Sequence, residues 1–406
     1  MDIRIIPSKK DESYYYLNKD VVLIIKKQPG SPSGFASQLP FPKVSYYLYN
    51  VNNDVKEELL PEFDKYMAAS FFTGEKQSNE IFFFHIEYSA FPNATFYIFS
   101  YDYKHQLCKE VYRFEDNLKL YESDKKIDLF ILNSNYFILQ FRNIKSKGNS
   151  KVKQYVRFES FLYDRSNRMI FEINDNRIKT SGIYQMLPVS NNVCAVRLGY
   201  NLIDDNRYKS MTKSDAVTET IGLFSISQLI SDILLKLPTF SMEVVDEVFW
   251  NKTFSSIKVC GKYVIFSRIS MENKSQEIFF YQYVSKETLM LLNKNPYSPE
   301  SLMACVLQKN PYIVKERRKY IEFYNINRNN VEVKLPSGTK ILDIQNDILF
   351  LASKKKGLFA KDKDEQLEIC QFEGMKILHR EKLSDIKVIN VSPERIIVFL
   401  QDKEEK

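Results

Sequence analysis

The chain has 406 residues, 44% of them apolar and 14% aromatic, so it can bury a large core and does not have the composition of a disordered polymer. Its 11 glycines are few against an average usage of roughly 7%, which disfavours folds that hold phosphates in glycine-rich loops. The formal net charge of +7 falls short of the basic excess of a dedicated nucleic-acid binder, so we expect a protein partner rather than nucleic acid.

The first residues of the chain and the spacing of its cysteines indicate in which cellular compartment the protein is located. The first ten residues contain no apolar signal segment, and no stretch approaches the roughly 18 apolar residues of a membrane span. The cysteines are odd in number and far apart, which is typical of free thiols in a reducing environment; they are Cys108, Cys194, Cys260, Cys305 and Cys370. We therefore expect a cytoplasmic protein without a membrane span.

Short runs rich in Phe, Tyr, Ile and Val, separated by polar turns, dominate the chain and predict β-strands. In the first half they are Asp20–Lys27, Val44–Val51, Ile81–Tyr88, Thr95–Tyr103, Ile127–Leu132, Tyr136–Arg142, Tyr155–Tyr163, Met169–Ile173 and Val193–Leu198. In the second half they are Tyr263–Ile269, Glu277–Tyr283, Tyr320–Ile326, Ile341–Ile344, Ile348–Ala352, Ile386–Val391 and Ile396–Leu400. This regular spacing with little helix favours an all-β architecture.

Two segments interrupt the strands with helical patterns. From Ile226 to Leu237, apolar residues recur at helical spacing, with Ser225 placed to cap the helix and Pro238 to end it. A second helix is predicted from Pro299 to about Gln308, because proline suits the first helical turn.

A degenerate repeat underlies the strands: a polar turn, an apolar strand ending near an arginine, a variable loop, an aromatic strand and a short apolar strand. One copy starts at Asn135 and another at Gly261. The unit is compatible with the roughly 40–50 residues of a four-stranded propeller blade. We therefore predict that residues 1–406 form a single β-propeller domain of six or seven four-stranded blades with two short helical insertions. A strand from the N-terminus would pair with the hairpin at 386–400 and close the ring. Two β-sandwich-like domains are the alternative.

No motif assigns a function to this fold. The sequence has no WD, kelch or aspartate-box blade pattern, no Gly-x-Ser-x-Gly elbow and no nucleotide-binding glycine loop. His105 and Cys108 have zinc-like spacing but lack a second ligand pair, so we expect neither a metal site nor a cofactor.

Carboxylates and arginines remain as candidate functional groups. Acidic residues near strand ends could meet in a central well and catalyse glycoside hydrolysis; they are Asp20, Glu87, Asp102, Asp128, Asp164 and Asp343. Arg142, Arg197 and Arg268 end equivalent strands of the repeat, where they could bind a partner's carboxylate or phosphate or pair with local carboxylates.

Three long loops contain further candidate contacts for a partner. Phe35 and Phe41 are unusual for a solvated loop and are candidate partner contacts in the segment 28–43; the loops 143–154 and 199–215 are also long.

The main expectation is a non-catalytic binding or scaffolding propeller that recognises a protein partner. The alternative is a propeller enzyme, similar to a glycoside hydrolase, that uses central carboxylates.

Overall fold

A computed structural model describes most of the chain. The described residues are 1–17, 20–27, 44–58, 67–73, 80–90, 93–102, 104–105, 107–117, 123–146, 154–199, 217–249, 251–270, 272, 275–293, 301–316, 320–336, 338–354, 365–383 and 385–401.

The described elements are almost all β-strands. The first nine are β1 (Asp2–Ser8), β2 (Glu12–Tyr16), β3 (Val21–Lys27), β4 (Val44–Asn50), β5 (Val55–Glu58), β6 (Met67–Thr73), β7 (Glu80–Ala90), β8 (Asn93–Asp102) and β9 (Leu107–Asn117). The middle elements are β10 (Ser123–Ile131), β11 (Tyr136–Ser146), β12 (Gln154–Asp164), β13 (Met169–Glu172), α1 (Asn176–Ser181), β14 (Ile183–Ser190), β15 (Val193–Leu198), β16 (Val217–Ser225), α2 (Ile226–Leu234), β17 (Met242–Phe249), β18 (Lys252–Phe254), β19 (Lys258–Cys260), β20 (Tyr263–Ser270), β21 (Gln276–Gln282) and β22 (Glu287–Asn293). The last ten are β23 (Ser301–Leu307), β24 (Asn310–Glu316), β25 (Tyr320–Asn325), β26 (Asn330–Pro336), β27 (Lys340–Gln345), β28 (Ile348–Lys354), β29 (Glu365–Gln371), β30 (Lys376–Lys382), β31 (Asp385–Val391) and β32 (Arg395–Gln401).

These strands form eight sheets that follow one another along the chain. Seven are built from consecutive strands: β2–β5, β6–β9, β10–β13, β14–β17, β18–β22, β23–β26 and β27–β30. The eighth combines both ends of the chain in the order β1-β32-β31. Consecutive four-stranded sheets define the β-propeller class. The prediction of an all-β propeller is confirmed, but six or seven blades is wrong, because the described residues form eight sheets: six with four strands, one with five and one with three.

One of the strands that the sequence analysis missed explains part of this difference. The segment predicted as a helix from Pro299 contains β23, which pairs antiparallel with β24 from Ser301 to Leu307. Tertiary pairing overrides the local helical signal there. The helix predicted from Ile226 is confirmed as α2, and α1 was not expected.

The chain divides into two compact units. The first contains residues 1–89, 95–115 and 300–406, and the second contains 90–94 and 116–299. Within each unit, neighbouring sheets bury their apolar faces against each other. In the second unit, for example, Ile138, Val196 and Phe224 lie in one core cluster that joins β11 to β15 and β16. The single-domain interpretation of residues 1–406 stays a prediction.

The two ends of the chain meet in the first unit. β1 pairs in parallel with β32, from Asp2 opposite Arg395 to Ser8 opposite Gln401, and β32 pairs antiparallel with β31. Ile3 and Ile5 pack against the apolar cluster around Val398, so side-chain burial supports the backbone pairing.

A recurrent irregularity marks one edge strand in each of four sheets. One residue near the start of that strand is left out of the pairing with the adjacent strand: Ala69 in β6, Tyr184 in β14, Leu342 in β27 and Lys387 in β31. Such a β-bulge bends the strand and re-aims the side chain of the extra residue.

Candidate functional site

A polar cleft of about 300 Å³ lies in the first unit, where β2 comes next to β31. Six consecutive residues, from the turn after β1 and along β2, line it together with one residue of β31: Lys10, Asp11, Glu12, Ser13, Tyr14, Tyr15 and Lys387. Lys387 is the bulged residue of β31. The cleft therefore combines two carboxyl groups, two ammonium groups, a hydroxymethyl group and two phenols.

Glu12 is the buried polar group of this cleft. Its carboxylate accepts a hydrogen bond from Lys56 Nζ at 2.8 Å and one from the Tyr14 hydroxyl at 2.5 Å. Burial raises the pKa of Glu12, but these two hydrogen bonds and the nearby lysine charges outweigh it and hold the pKa below its usual value. Glu12 is therefore ionised at neutral pH.

The groups around Glu12 are themselves held in place. Tyr14 accepts a hydrogen bond from the Lys9 backbone N–H at 3.0 Å and packs on the Phe399 ring at 4.7 Å between centroids. Burial, together with the neighbouring Glu12 carboxylate, raises the pKa of Tyr14, so its hydroxyl keeps its proton. Lys56 also lies over the Tyr47 ring, with Nζ 4.3 Å from the centroid.

Two of the predicted partner-binding arginines pair with carboxylates. Arg197 is 2% exposed and donates from Nε and Nη2 to the fully buried Glu219. Arg268 is half-buried between Asp246 on β17 and Glu277 on β21. The local-pairing alternative describes the contacts of both side chains; a partner-binding role for them stays a prediction.

The structure describes less of the other three predicted partner-binding residues, Arg142, Phe35 and Phe41. Arg142 lies in β11, where its backbone is paired with Lys126 of β10 and Phe158 of β12. Nothing is described of its side chain. Phe35 and Phe41 lie outside the described residues. Their roles also remain predictions.

The carboxylates predicted for a central well serve mostly as local hydrogen-bond acceptors. Asp102 accepts from the backbone N–H groups of residues 104 and 105, and Asp164 from that of Asn167. Asp343 and Asp128 accept from glutamine amides, and Asp20 lies 3.8 Å from Arg395. Nothing is described of the Glu87 side chain.

The described ranges lack two kinds of feature, a metal-binding cluster and a membrane-spanning helix. Those ranges contain no group of three or more His, Cys, Asp or Glu side chains suited to a metal ion. His105 instead pairs with Asp102 at 2.7 Å. In the described part of the chain, no helix has both the length and the apolar character needed to cross a bilayer.

Sequence reasoning missed the cleft. Its charged residues on this side belong to one run, Lys9-Lys10-Asp11-Glu12, which leads into the tyrosine-rich strand β2 and looks like an ordinary solvated turn. The available signal was Glu12, because a carboxylate in register with Tyr14 on one face of a strand is placed for burial. Only the position of Lys387 beside β2 makes the run a cleft.

Comparison with known proteins defines the fold but not a family. No family model and no curated protein matches the chain. It is similar in structure to dipeptidyl peptidase 4 of Porphyromonas gingivalis, with 10% identity and a TM-score of 0.55 over 89% of this chain and 51% of that one. This chain therefore spans about half the length of that enzyme. At this identity the likeness shows the propeller fold alone.

Two solved structures with lower TM-scores are matched over more of their own length. The oligogalacturonate lyase of Vibrio parahaemolyticus gives 9% identity and a TM-score of 0.46 over 85% of this chain and 89% of that one. The β-propeller domain of the Trilobed protease of Pyrococcus furiosus gives 10% and 0.43 over 93% and 97%. TM-scores below 0.5 support no inference about this chain.

These comparisons correct the main functional expectation. A non-catalytic scaffold was predicted, whereas dipeptidyl peptidase 4, a solved structure that shares the fold at a TM-score of 0.55, is an enzyme. The alternative prediction, a propeller enzyme, agrees better with this finding.

Proposed function

We propose that this chain is a β-propeller enzyme, or the propeller part of one, and that it hydrolyses glycosidic bonds in the cleft of Glu12. The observation that carries the proposal is the placement of two carboxyl groups, Asp11 and Glu12, in the same cleft. Most glycoside hydrolases use two carboxyl groups, one as an acid and one as a base or nucleophile.

The environments of the two carboxyl groups differ, which supports different roles. Glu12 is buried and its pKa is lowered, so it supplies a carboxylate that can accept a proton from water. Asp11 is exposed, with Lys26 Nζ 3.9 Å from its carboxylate, and it is assigned as the proton donor to the leaving oxygen. The glycosidic C–O bond breaks, water adds across it, and the proton lost to Glu12 balances the one given by Asp11.

The hydrogen bonds to Glu12 leave room for this role. Lys56 and Tyr14 each donate to a different oxygen of the carboxylate. Each carboxylate oxygen has a second lone pair that can accept from a bound water. Support for an enzyme also comes from the fold shared with dipeptidyl peptidase 4, although the class of reaction is inferred from the cleft.

The test measures release of reducing ends from a panel of neutral and acidic polysaccharides by the wild type, Glu12→Gln and Asp11→Asn. We expect both variants to lose at least about 100-fold in turnover, the usual effect of removing a general acid or base. Glu332→Gln is the matched control, because Glu332 also accepts from a tyrosine, Tyr312, but does not line the cleft. The proposal is wrong if the wild type cleaves no member of the panel, or if folded Glu12→Gln is as active as Glu332→Gln.

A further inference from the structure

We propose that the cleft binds an oxyanion group, a carboxylate or a phosphate carried by a sugar, through Lys10 and Lys387. This inference rests on the proposed function and names its substrate class as acidic glycans or glycosyl phosphates. It depends on how the charges in and around the cleft are paired.

Each acidic side chain of the cleft has a lysine of its own. Glu12 is bonded to Lys56 at 2.8 Å, and Asp11 lies 3.9 Å from Lys26. Among the described residues, the structure gives Lys10 and Lys387 no ion-pair partner. With Asp11 ionised and paired, two positive charges remain in one concave site, and with Asp11 protonated as the acid, Lys26 adds a third at its edge. In both states the site attracts an anion more strongly than a flat surface does.

Backbone geometry directs one of these lysines into the cleft. In β31, the pairing with β32 passes from Ile386 to Val388 and omits Lys387. The bulge re-aims the Lys387 side chain, and it lines the cleft opposite the residues of β2. Lys10 approaches from the turn that precedes β2, so the two ammonium groups belong to different elements.

An aromatic ring accompanies the two lysines. Tyr15 lines the same cleft and is 42% exposed, unlike Tyr14, which is 7% exposed. An exposed tyrosine offers an apolar face and a polar hydroxyl to a ligand. An aromatic face beside two ammonium groups fits a sugar ring that bears an oxyanion better than it fits a neutral sugar.

Calorimetric titration tests this inference without turnover. The probes are glucuronate, inorganic phosphate and, as the neutral counterpart, glucose, each added to the wild type and to Lys10→Gln/Lys387→Gln. We expect glucuronate or phosphate to bind the wild type, with an affinity at least about tenfold lower in the double variant and lower at high salt. Glucose should bind neither protein measurably. The matched control is Lys340→Gln, which changes an exposed lysine at the start of β27, and it should bind like the wild type.

The outcomes separate the two proposals. Lysine-dependent binding of glucuronate identifies a carboxylate ligand, and lysine-dependent binding of phosphate alone identifies a phosphate ligand. Binding that the double variant retains, or no binding of either anion, overturns the inference. Glu12→Gln should still bind the anion. If it does while the wild type cleaves no glycan, the anion site stands and only the hydrolytic function fails.

Discussion

The side-chain amide of Gln140 forms a hydrogen bond with the backbone N–H of Ile183 and another with its backbone carbonyl. Its oxygen accepts from the Ile183 N–H at 2.6 Å and its nitrogen donates to the Ile183 carbonyl at 2.8 Å. Gln140 lies in β11 and Ile183 in β14, so a side chain takes the place of a peptide group between two sheets of the second unit. Gln185 forms the same pair of bonds with Ile257, at 2.8 and 2.9 Å. A repeated interaction of this kind stabilises the contact of consecutive sheets.

Gln140→Leu should lower the free energy of unfolding by about 3 kcal/mol, because two buried backbone groups of Ile183 lose their partners at about 1–3 kcal/mol each. Urea denaturation of the two proteins measures the difference. Gln282→Leu, at a half-buried position of β21, is the control and should change the value by less than about 0.5 kcal/mol. Equal stability of Gln140→Leu and the control would contradict the assigned role.

Arg197→Met should destabilise the fold by about 3–5 kcal/mol, because it leaves the buried charge of Glu219 unpaired. Arg197→Met/Glu219→Leu should recover part of this loss, since the uncompensated charge is removed. A double-mutant cycle in urea measures both effects. Lys179→Met serves as control, because its pair with Glu172 is exposed and contributes less than about 1 kcal/mol. A single Arg197 variant no less stable than the double variant would rule out this charge-pair explanation.

Asp175 should make stability fall in acid. Burial raises its pKa, but Arg177 and the backbone N–H groups of Phe240 and Ile178 outweigh this and lower the pKa below the ordinary 3.8. The unfolded state then binds more protons between the two pKa values, so the stabilisation is present above about pH 4 and is lost as the pH falls through the folded value. Asp175→Asn should reduce the stability at pH 7 and flatten its decline between pH 4 and 2. Urea denaturation across this range provides the measurement, and an unchanged slope in Asp175→Asn would contradict the prediction.

Gly199→Ala should be much more destabilising than Gly261→Ala. Gly261 has φ +55°, in the left-handed region where alanine costs about 1–2 kcal/mol, and Gly199 has φ +114°, outside that region and less accessible still to alanine. A Cβ at Gly199 would come within 2.7 Å of the Thr218 carbonyl oxygen, whereas a Cβ at Gly261 meets nothing within 4 Å. Thermal denaturation of both variants tests the difference. Similar melting temperatures would show that steric contact at Gly199 adds nothing to backbone strain.

Many strands could be predicted from the sequence, because β-branched and aromatic residues favour half-buried pleated surfaces. The run Val193–Leu198 was predicted with the bounds that β15 has. The run from Ser301 to Leu307 was predicted as helix, because its short apolar pattern fits both structures and only pairing with β24 selects the strand. The blade number depended on such segments and was therefore underestimated.

The amino-acid pattern was enough to predict a chain rich in strands and poor in helices, because alternation of apolar and polar side chains is a local property, and the repeat of that pattern predicted the propeller. Only the three-dimensional arrangement shows which charges are paired inside the protein and which line the cleft. Arg197 and Glu12 look like ordinary charged residues in the sequence, yet one is buried in an ion pair and the other lines a cleft. The physical reason is that burial and pairing depend on residues distant in the chain: Lys387 reaches β2 across more than 370 residues because β31 packs beside β2.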